Sequence, residues 1–319
     1  MRGVRREASV TCEVRDAEQI EIQLMKKVYV LLLALPGVGC TYFSTQEKKG
    51  FDYCYTGGHG LYVANYGNGD PQHVYINGTD PVLSPDGTCI AYTDNGAPDH
   101  ERRIAVLDLE AGKVAVLDTA CHNCYGPVWS PDGEYLAYNA FQGSNWGIKY
   151  VDKGNLHPAV LAAPTDSLPG YFGPTWSADS RKIVVQNMSA VYIYDLDGKV
   201  LRSVPFSQMD TSVSFSSSST FLLTDKEDKL VCWGEVDEQS DAEEGPPGAV
   251  FVYDLGTGKT SRISPKGYDC WGPVVKGDTV FCNGHSRGKG KDNVYRVDLD
   301  GGHFKLAYKN RSAMSFAAR

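Results

Sequence analysis

Short runs of alternating apolar and polar residues recur along the chain from about residue 51 to its end. Cys89-Ile-Ala-Tyr92, Tyr135-Leu-Ala-Tyr138 and Lys182-Ile-Val-Val185 are typical, and each reads as a strand. Each follows a copy of one segment: Pro81-Val-Leu-Ser-Pro-Asp-Gly87, Pro127-Val-Trp-Ser-Pro-Asp-Gly133 or Pro174-Thr-Trp-Ser-Ala-Asp-Ser180. Pro presets φ for a turn, Asp bonds back to the backbone and Gly accepts φ > 0, so the segment predicts a strand, a tight turn and a second strand. The copies lie 46 and 47 residues apart, a period that points to propellers, solenoids or arrays.

A full unit runs from Pro81 to about Thr119, with strands at 81–84, 88–93, 103–109 and 113–118. Further units run from Pro127 to Ala162 and from Pro174 to Pro205. A fourth begins at Val213-Ser-Phe-Ser216, its turn reduced to serines, and continues through 221–224, 230–233 and 250–254 to Ile263. A fifth begins at Pro273 and ends at 304–308. Before the first unit, 51–55, 61–66 and 73–77 match second, third and fourth strands without an inner one. After the last unit comes one more alternating run, Ser312-Ala-Met-Ser-Phe316. The predicted fold is therefore all-β: a six-bladed β-propeller of four-stranded blades, closed by the C-terminal strand pairing into the first blade.

Composition supports this reading, with 19 Tyr, 34 Gly and 16 Pro and no long helical period after the first 40 residues. The formal charge of −8 argues against a nucleic-acid partner, which calls for basic patches. The N-terminal region differs from the rest. Residues 1–24 are charged and mixed and read as a mis-assigned start or a non-structural extension. Residues 25–39 have two lysines, an apolar stretch from Val28 to Val38 and small residues before Cys40, the pattern of a secretory signal peptide. That stretch is shorter than the ~20 apolar residues a membrane span needs. Residues 40–50 read as a tether and 51–319 as the β-propeller.

The repeats Pro-x-Trp-Ser-Pro-Asp-Gly, Ile-Ala-Tyr and Ile-Tyr-Asp-Leu-Asp-Gly resemble the PD40 (WD40-like) repeats of TolB-type β-propellers over roughly Phe51 to Phe316. The resemblance implies a protein or peptide partner presented to the channel mouth. Residues 25–40 resemble a bacterial lipoprotein signal, in which Cys40 is lipidated and becomes the mature N-terminus; Gly37 stands where that pattern favours Leu. Together they imply an exported protein at a periplasmic or cell-surface face, held to the membrane through a lipid anchor only, with an envelope protein or peptide as partner.

Candidate chemistry is sparse. An aromatic recurs two residues before the Pro that opens an inner strand, in Tyr125-Gly-Pro, Phe172-Gly-Pro and Trp271-Gly-Pro. The resemblance implies that the loop before each inner strand lies at one mouth of the channel, where three such residues make a binding rim, or else wedges between neighbouring blades. Cys121 and Cys124 are a candidate disulfide in an exported chain; a zinc site needs a second pair, so no metal is expected. The turns Asp195-Leu-Asp-Gly198 and Asp298-Leu-Asp-Gly301 lack the further ligands of a calcium loop. The acidic stretch 235–244 reads as a solvated loop. Neither a Gly-x-Ser-x-Gly elbow nor a His-Glu-x-x-His motif is present, and no cofactor is expected. The sequence thus favours a binding module over an enzyme. The alternative is a carbohydrate-binding or carbohydrate-degrading propeller, which requires His59, His122 and His285 to converge with carboxylates at the mouth.

Overall fold

Each copy of the Ser-Pro-Asp-Gly segment folds into the same hydrogen-bonded turn in the computed structural model, which describes residues 50–317 apart from 75, 97–100, 122, 155–156, 164–169, 239–244 and 289. The Ser84 N–H donates to the Cys89 carbonyl at 2.8 Å, the Ser84 hydroxyl donates to Asp86 at 2.6 Å, and the Cys89 N–H returns to Ser84 Oγ at 2.9 Å. Gly87 takes φ 73°. Ser130 with Asp132 and Ser177 with Asp179 repeat these bonds. The serine side chain thus substitutes for a ladder partner where the chain reverses.

Among the described residues, twenty-five strands form six sheets. The first blade contains β1 (Tyr53–Gly57), β2 (Gly60–Asn65) and β3 (Asn68–Val74). The second is β4 (Gly78–Leu83), β5 (Cys89–Asp94), β6 (Arg103–Asp108) and β7 (Val114–Val116). The third is β8 (Cys124–Trp129), β9 (Tyr135–Gln142), β10 (Asn145–Asp152) and β11 (Ala159–Ala162). The fourth is β12 (Phe172–Trp176), β13 (Lys182–Gln186), β14 (Ala190–Asp195) and β15 (Val200–Pro205). The fifth is β16 (Val213–Ser214), β17 (Phe221–Leu223), β18 (Lys229–Val236), β19 (Gly248–Asp254) and β20 (Thr260–Arg262). The sixth is β21 (Tyr268–Lys276), β22 (Thr279–Ser286), β23 (Asn293–Asp298) and β24 (Lys305–Tyr308). The last strand, β25 (Ser312–Phe316), returns to the first blade and pairs antiparallel with β1, Tyr53 facing Phe316 and Thr56 facing Ser312. The molecule is a six-bladed β-propeller, closed as the alternating run at 312–316 predicts.

Burial peaks at the second strand of each blade and is lowest at the outer strand. Second strands are packed between neighbouring blades on both faces, so their apolar residues run almost unbroken: Ile90, Ala91, Leu136, Ala137, Ile183 and Val184 are all essentially inaccessible. Outer strands face solvent, and β7 exposes all three of its residues. The core is therefore a set of clusters between adjacent blades, such as the one joining Val184 and Ile193 of the fourth blade to Phe221 and Phe251 of the fifth.

Two features differ from the expectation. In the fifth blade the turn is not the serine run after Val213. It is Thr224-Asp-Lys-Glu-Asp228, where Thr224 takes the role of Ser84: its N–H donates to the Lys229 carbonyl at 3.0 Å and Glu227 adopts φ 54°. Ser84, Ser130, Ser177 and Thr224 fall 46, 47 and 47 residues apart, so the period holds through a copy that has lost both Pro and Gly. Phe221–Leu223 is then inner strand, not second strand, β18 and β19 each move one place toward the axis, and β20 is the outer strand. The serines lie within 215–220, between two short inner pieces that pair with the same strand, β18.

The inner strands also begin before their prolines. Tyr125, Phe172 and Trp271 lie inside β8, β12 and β21, not in the loops that lead to them. Proline cannot donate to the ladder, which makes it read as a strand start; here the strand passes it through a bulge. The register shifts between Tyr125 and Val128, between Phe172 and Thr175 and between Trp271 and Val274.

Candidate functional site at one mouth of the ring

The bulge sets the geometry of one end of the channel. Its central residue is left-handed in five blades: Asp80 (φ 53°), Gly126 (63°), Gly173 (61°), Gly272 (55°) and Ala313 (48°). That conformation turns the central N–H out of its own ladder and toward the preceding blade. Gly126 N–H donates to Thr93 Oγ1 at 3.0 Å, Gly173 N–H to Asn139 Oδ1 at 3.1 Å and Ala313 N–H to Asn283 Oδ1 at 2.8 Å. At the same level Gln186 Nε2 donates to the Ser216 carbonyl of the fifth blade at 2.9 Å. Thr93, Asn139 and Gln186 are buried, so each bond satisfies polar groups that would otherwise be stranded.

The residue before the left-handed position is Tyr125, Phe172 or Trp271 in the third, fourth and sixth blades, and Thr79 or Ser312 in the second and first. The aromatics share one register level, and among the described residues none of the three rings packs on another. Tyr125 lies edge-on to Trp146 at 4.9 Å and under the Arg102 guanidinium at 4.6 Å. Arg102 also donates to Asn123 at 2.9 Å. Burial raises the Tyr125 phenol above its ordinary pKa, although Arg102 pulls the other way. Tyr125 thus remains a neutral ring fixed between the second and third blades. Trp271 stands edge-on to His285 at 5.7 Å, and His285 Nδ1 lies 3.2 Å from Asp292.

Where the aromatic gives way to Ser312, a recess of about 300 Å³ opens between the sixth and first blades. Its walls are the β1–β2 turn at Gly57 and Gly58, Lys291 and Asp292 from the sixth blade, and Arg311 in the connection to β25. Sequence reasoning passed over Arg311, Arg102 and Trp146. The signal for Arg311 was its place, immediately before the strand that closes the ring.

Among the described residues, no group placed to hold a metal includes His59 or His285. His59 is exposed in the β1–β2 turn and its carbonyl meets His73 Nε2 at 2.8 Å. His285 lies within β22, not after it. His122 and Cys40 lie outside the described residues, as does 239–244 of the acidic stretch. Among the described residues one group could hold a metal, Asp118 with Cys121 and Cys124, whose ligand atoms fall within 4.8 Å of one another. The two sulfurs are joined as a disulfide across a Cα–Cα distance of 6.3 Å, and Asp118 is bound by the Tyr138 hydroxyl at 2.9 Å and Lys149 Nζ at 3.0 Å. Cys54, Cys232, Cys270 and Cys282 are buried free thiols, and burial pushes Cys54 and Cys232 up to about 12, far from reactive.

No model of a known protein family matches the chain, and no curated protein matches its sequence. Solved structures do match its fold. TolB from Acinetobacter baumannii superposes with a TM-score of 0.60 at 19% identity, over 84% of this chain and 66% of that one. A putative TolB from Agrobacterium tumefaciens gives 0.53 at 15% identity, over 82% and 91%. The β-propeller domain of the Trilobed protease from Pyrococcus furiosus gives 0.53 at 18%, over 78% and 74%. This chain thus spans just under two thirds of the Acinetobacter protein's length. At these identities the likeness is one of fold.

Proposed function

We propose that this propeller is an exported scaffold of the cell envelope that holds a protein or peptide at the mouth carrying Tyr125, Phe172 and Trp271, and that Cys40 is its lipid anchor. The supporting observation is that the three aromatics occupy one register level of three inner strands, beside a recess that the ring leaves open. Aromatic side chains bring large, rigid contact area with a polar tip, the property of interface anchors. TolB-type structures among the fold's likenesses agree with an envelope role. The protease propeller among them keeps a second reading in view, a substrate-presenting module of a larger enzyme.

The test is capture from native envelope extract with the mature domain and with a Tyr125→Ala/Phe172→Ala/Trp271→Ala version that retains its melting transition. A protein retained by the first and at least about tenfold depleted by the second is the expected result, since each anchor contributes on the order of 1–2 kcal/mol. Equal retention moves the site elsewhere. For the anchor, Cys40→Ser is expected to shift the protein from the membrane to the soluble fraction and to abolish labelling with a palmitate analogue; unchanged fractionation without label contradicts lipidation.

A further inference from the structure

We infer that the recess between the sixth and first blades is a carboxylate site, with Arg311 as the recognising group and an acidic side chain or free C-terminus of a bound peptide as the occupant. The guanidinium is held by aromatic faces. Its carbon lies 4.4 Å from the Tyr55 ring centroid, 5.2 Å from Tyr308 and 5.6 Å from Tyr53, and Nη1 donates to the Tyr53 hydroxyl at 3.1 Å. Tyrosine faces fix the orientation of a cation without neutralising it. Among the described residues Arg311 has no carboxylate partner.

An uncompensated cation in a recess is uncommon on a chain with a formal charge of −8. Partly buried guanidinium groups are ordinarily paired, because their remaining N–H donors lose water without gaining an acceptor. Arg262 on the outer strand of the fifth blade illustrates the ordinary case: it is bound by Glu238 and by the carbonyls of Ser264 and Pro265. Arg311 instead lines an open recess that Lys291 flanks with a second positive charge. The single carboxylate on the wall, Asp292, faces His285 at 3.2 Å. Gly57 and Gly58 keep the opposite wall low, and a Cβ at Gly58 would meet nothing within 4 Å.

A guanidinium presents two parallel N–H groups that match a carboxylate, a planar geometry an ammonium lacks. The position fits a peptide seated on the mouth, since Ser312, which also lines the recess, occupies the register position filled by Trp271 in the adjacent blade. The inference rests on the proposed binding reading only for its choice of a peptide as the source of the carboxylate.

The experiment follows the Arg311 Nε–Hε resonance of the full-length protein during titration with N-acetylglycine, N-acetylaspartate amide, N-acetylglycinamide and inorganic phosphate. A saturable shift with one or both carboxylates and none with the neutral amide is expected; the stronger carboxylate identifies a C-terminus or an acidic side chain. Arg311→Lys should weaken binding at least about tenfold by removing the bidentate pair. Gly58→Glu, which has open space for its side chain, should weaken it as much by placing a competing carboxylate at the rim, followed by tryptophan fluorescence. An equal shift with N-acetylglycinamide, phosphate binding over tenfold tighter than either carboxylate, or undiminished affinity in the folded Gly58→Glu variant would overturn the assignment. Carboxylate binding that survives while the triple-alanine version captures the same proteins as the native domain would remove the aromatic mouth and leave this site standing.

Discussion

Deletion of Lys309–Arg319 is expected to abolish the cooperative unfolding transition of the propeller. The deleted strand β25 is joined to three blades at once. It forms the ladder with β1, its Ser315 hydroxyl accepts the Leu83 N–H of the second blade at 3.1 Å, and Phe316 packs on Phe281 of the sixth at 4.9 Å. Met314 and Ala317 are buried. Losing buried Met314 costs about 2 kcal/mol and half-buried Phe316 about 1 kcal/mol, and the ladder and the exposed faces of the neighbouring blades add to it. The sum approaches the ~5–15 kcal/mol that stabilises a typical domain. The deletion also bares the edge of β1, an invitation to aggregation. Thermal unfolding followed by near-ultraviolet circular dichroism checks this: an unaltered transition would mean that the ring holds by other contacts.

The second large effect is a contrast between two glycines in identical motifs. Gly87 and Gly133 both end a Ser-Pro-Asp-Gly turn, at φ 73° and 76°. A Cβ on Gly133 would meet Pro85 Cδ at 3.6 Å, ordinary contact, so Gly133→Ala carries only the left-handed penalty of about 1–2 kcal/mol. A Cβ on Gly87 would stand 2.0 Å from the Phe51 carbonyl oxygen and 2.7 Å from its nitrogen, both backbone atoms. The Phe51 N–H donates to the Gly87 carbonyl at 2.8 Å, so relief of the clash breaks that bond and detaches the segment leading into β1. Gly87→Ala should therefore lower the melting temperature at least twice as far as Gly133→Ala, which at roughly 2–4 °C per kcal/mol is readily measured. Equal shifts would show that the two turns sit in equivalent surroundings.

Both effects depend on features of unequal legibility. Ring closure was readable because 312–316 alternates and the chain's beginning lacks an inner strand, two local facts that complete each other. The fifth blade was misplaced because four serines resemble a worn turn more than Thr224-Asp-Lys-Glu does; holding to the period would have corrected it, since the backbone at Glu227 kept a shape its residue type does not advertise. Tyr125, Phe172 and Trp271 were found by repetition, but their place inside the strand was hidden by a proline that normally marks a strand's start. Arg311 was invisible for another reason. Its partners Tyr53 and Tyr55 lie at the opposite end of the sequence and meet it only when the ring shuts.

The hydrogen bonds from one blade's second strand to the next blade's bulge bear on how such a chain can change in length. Their sequence separations are 33, 34 and 30 residues, each less than one repeat, so at these three junctions a copy carries half of a contract with its successor. The halves differ in size: Thr93, Asn139, Gln186 and Asn283 reach different distances. A gene duplication that inserts a second copy of the third repeat would present Asn139 to a Gly126 adapted to the shorter Thr93, whereas its original partner, Gly173, would be met by the new copy. Growth by tandem duplication of that repeat therefore creates a mismatched seam, and the inherited length of the ring is protected by side chains packed directly behind the mouth aromatics, as Asn139 is behind Tyr125.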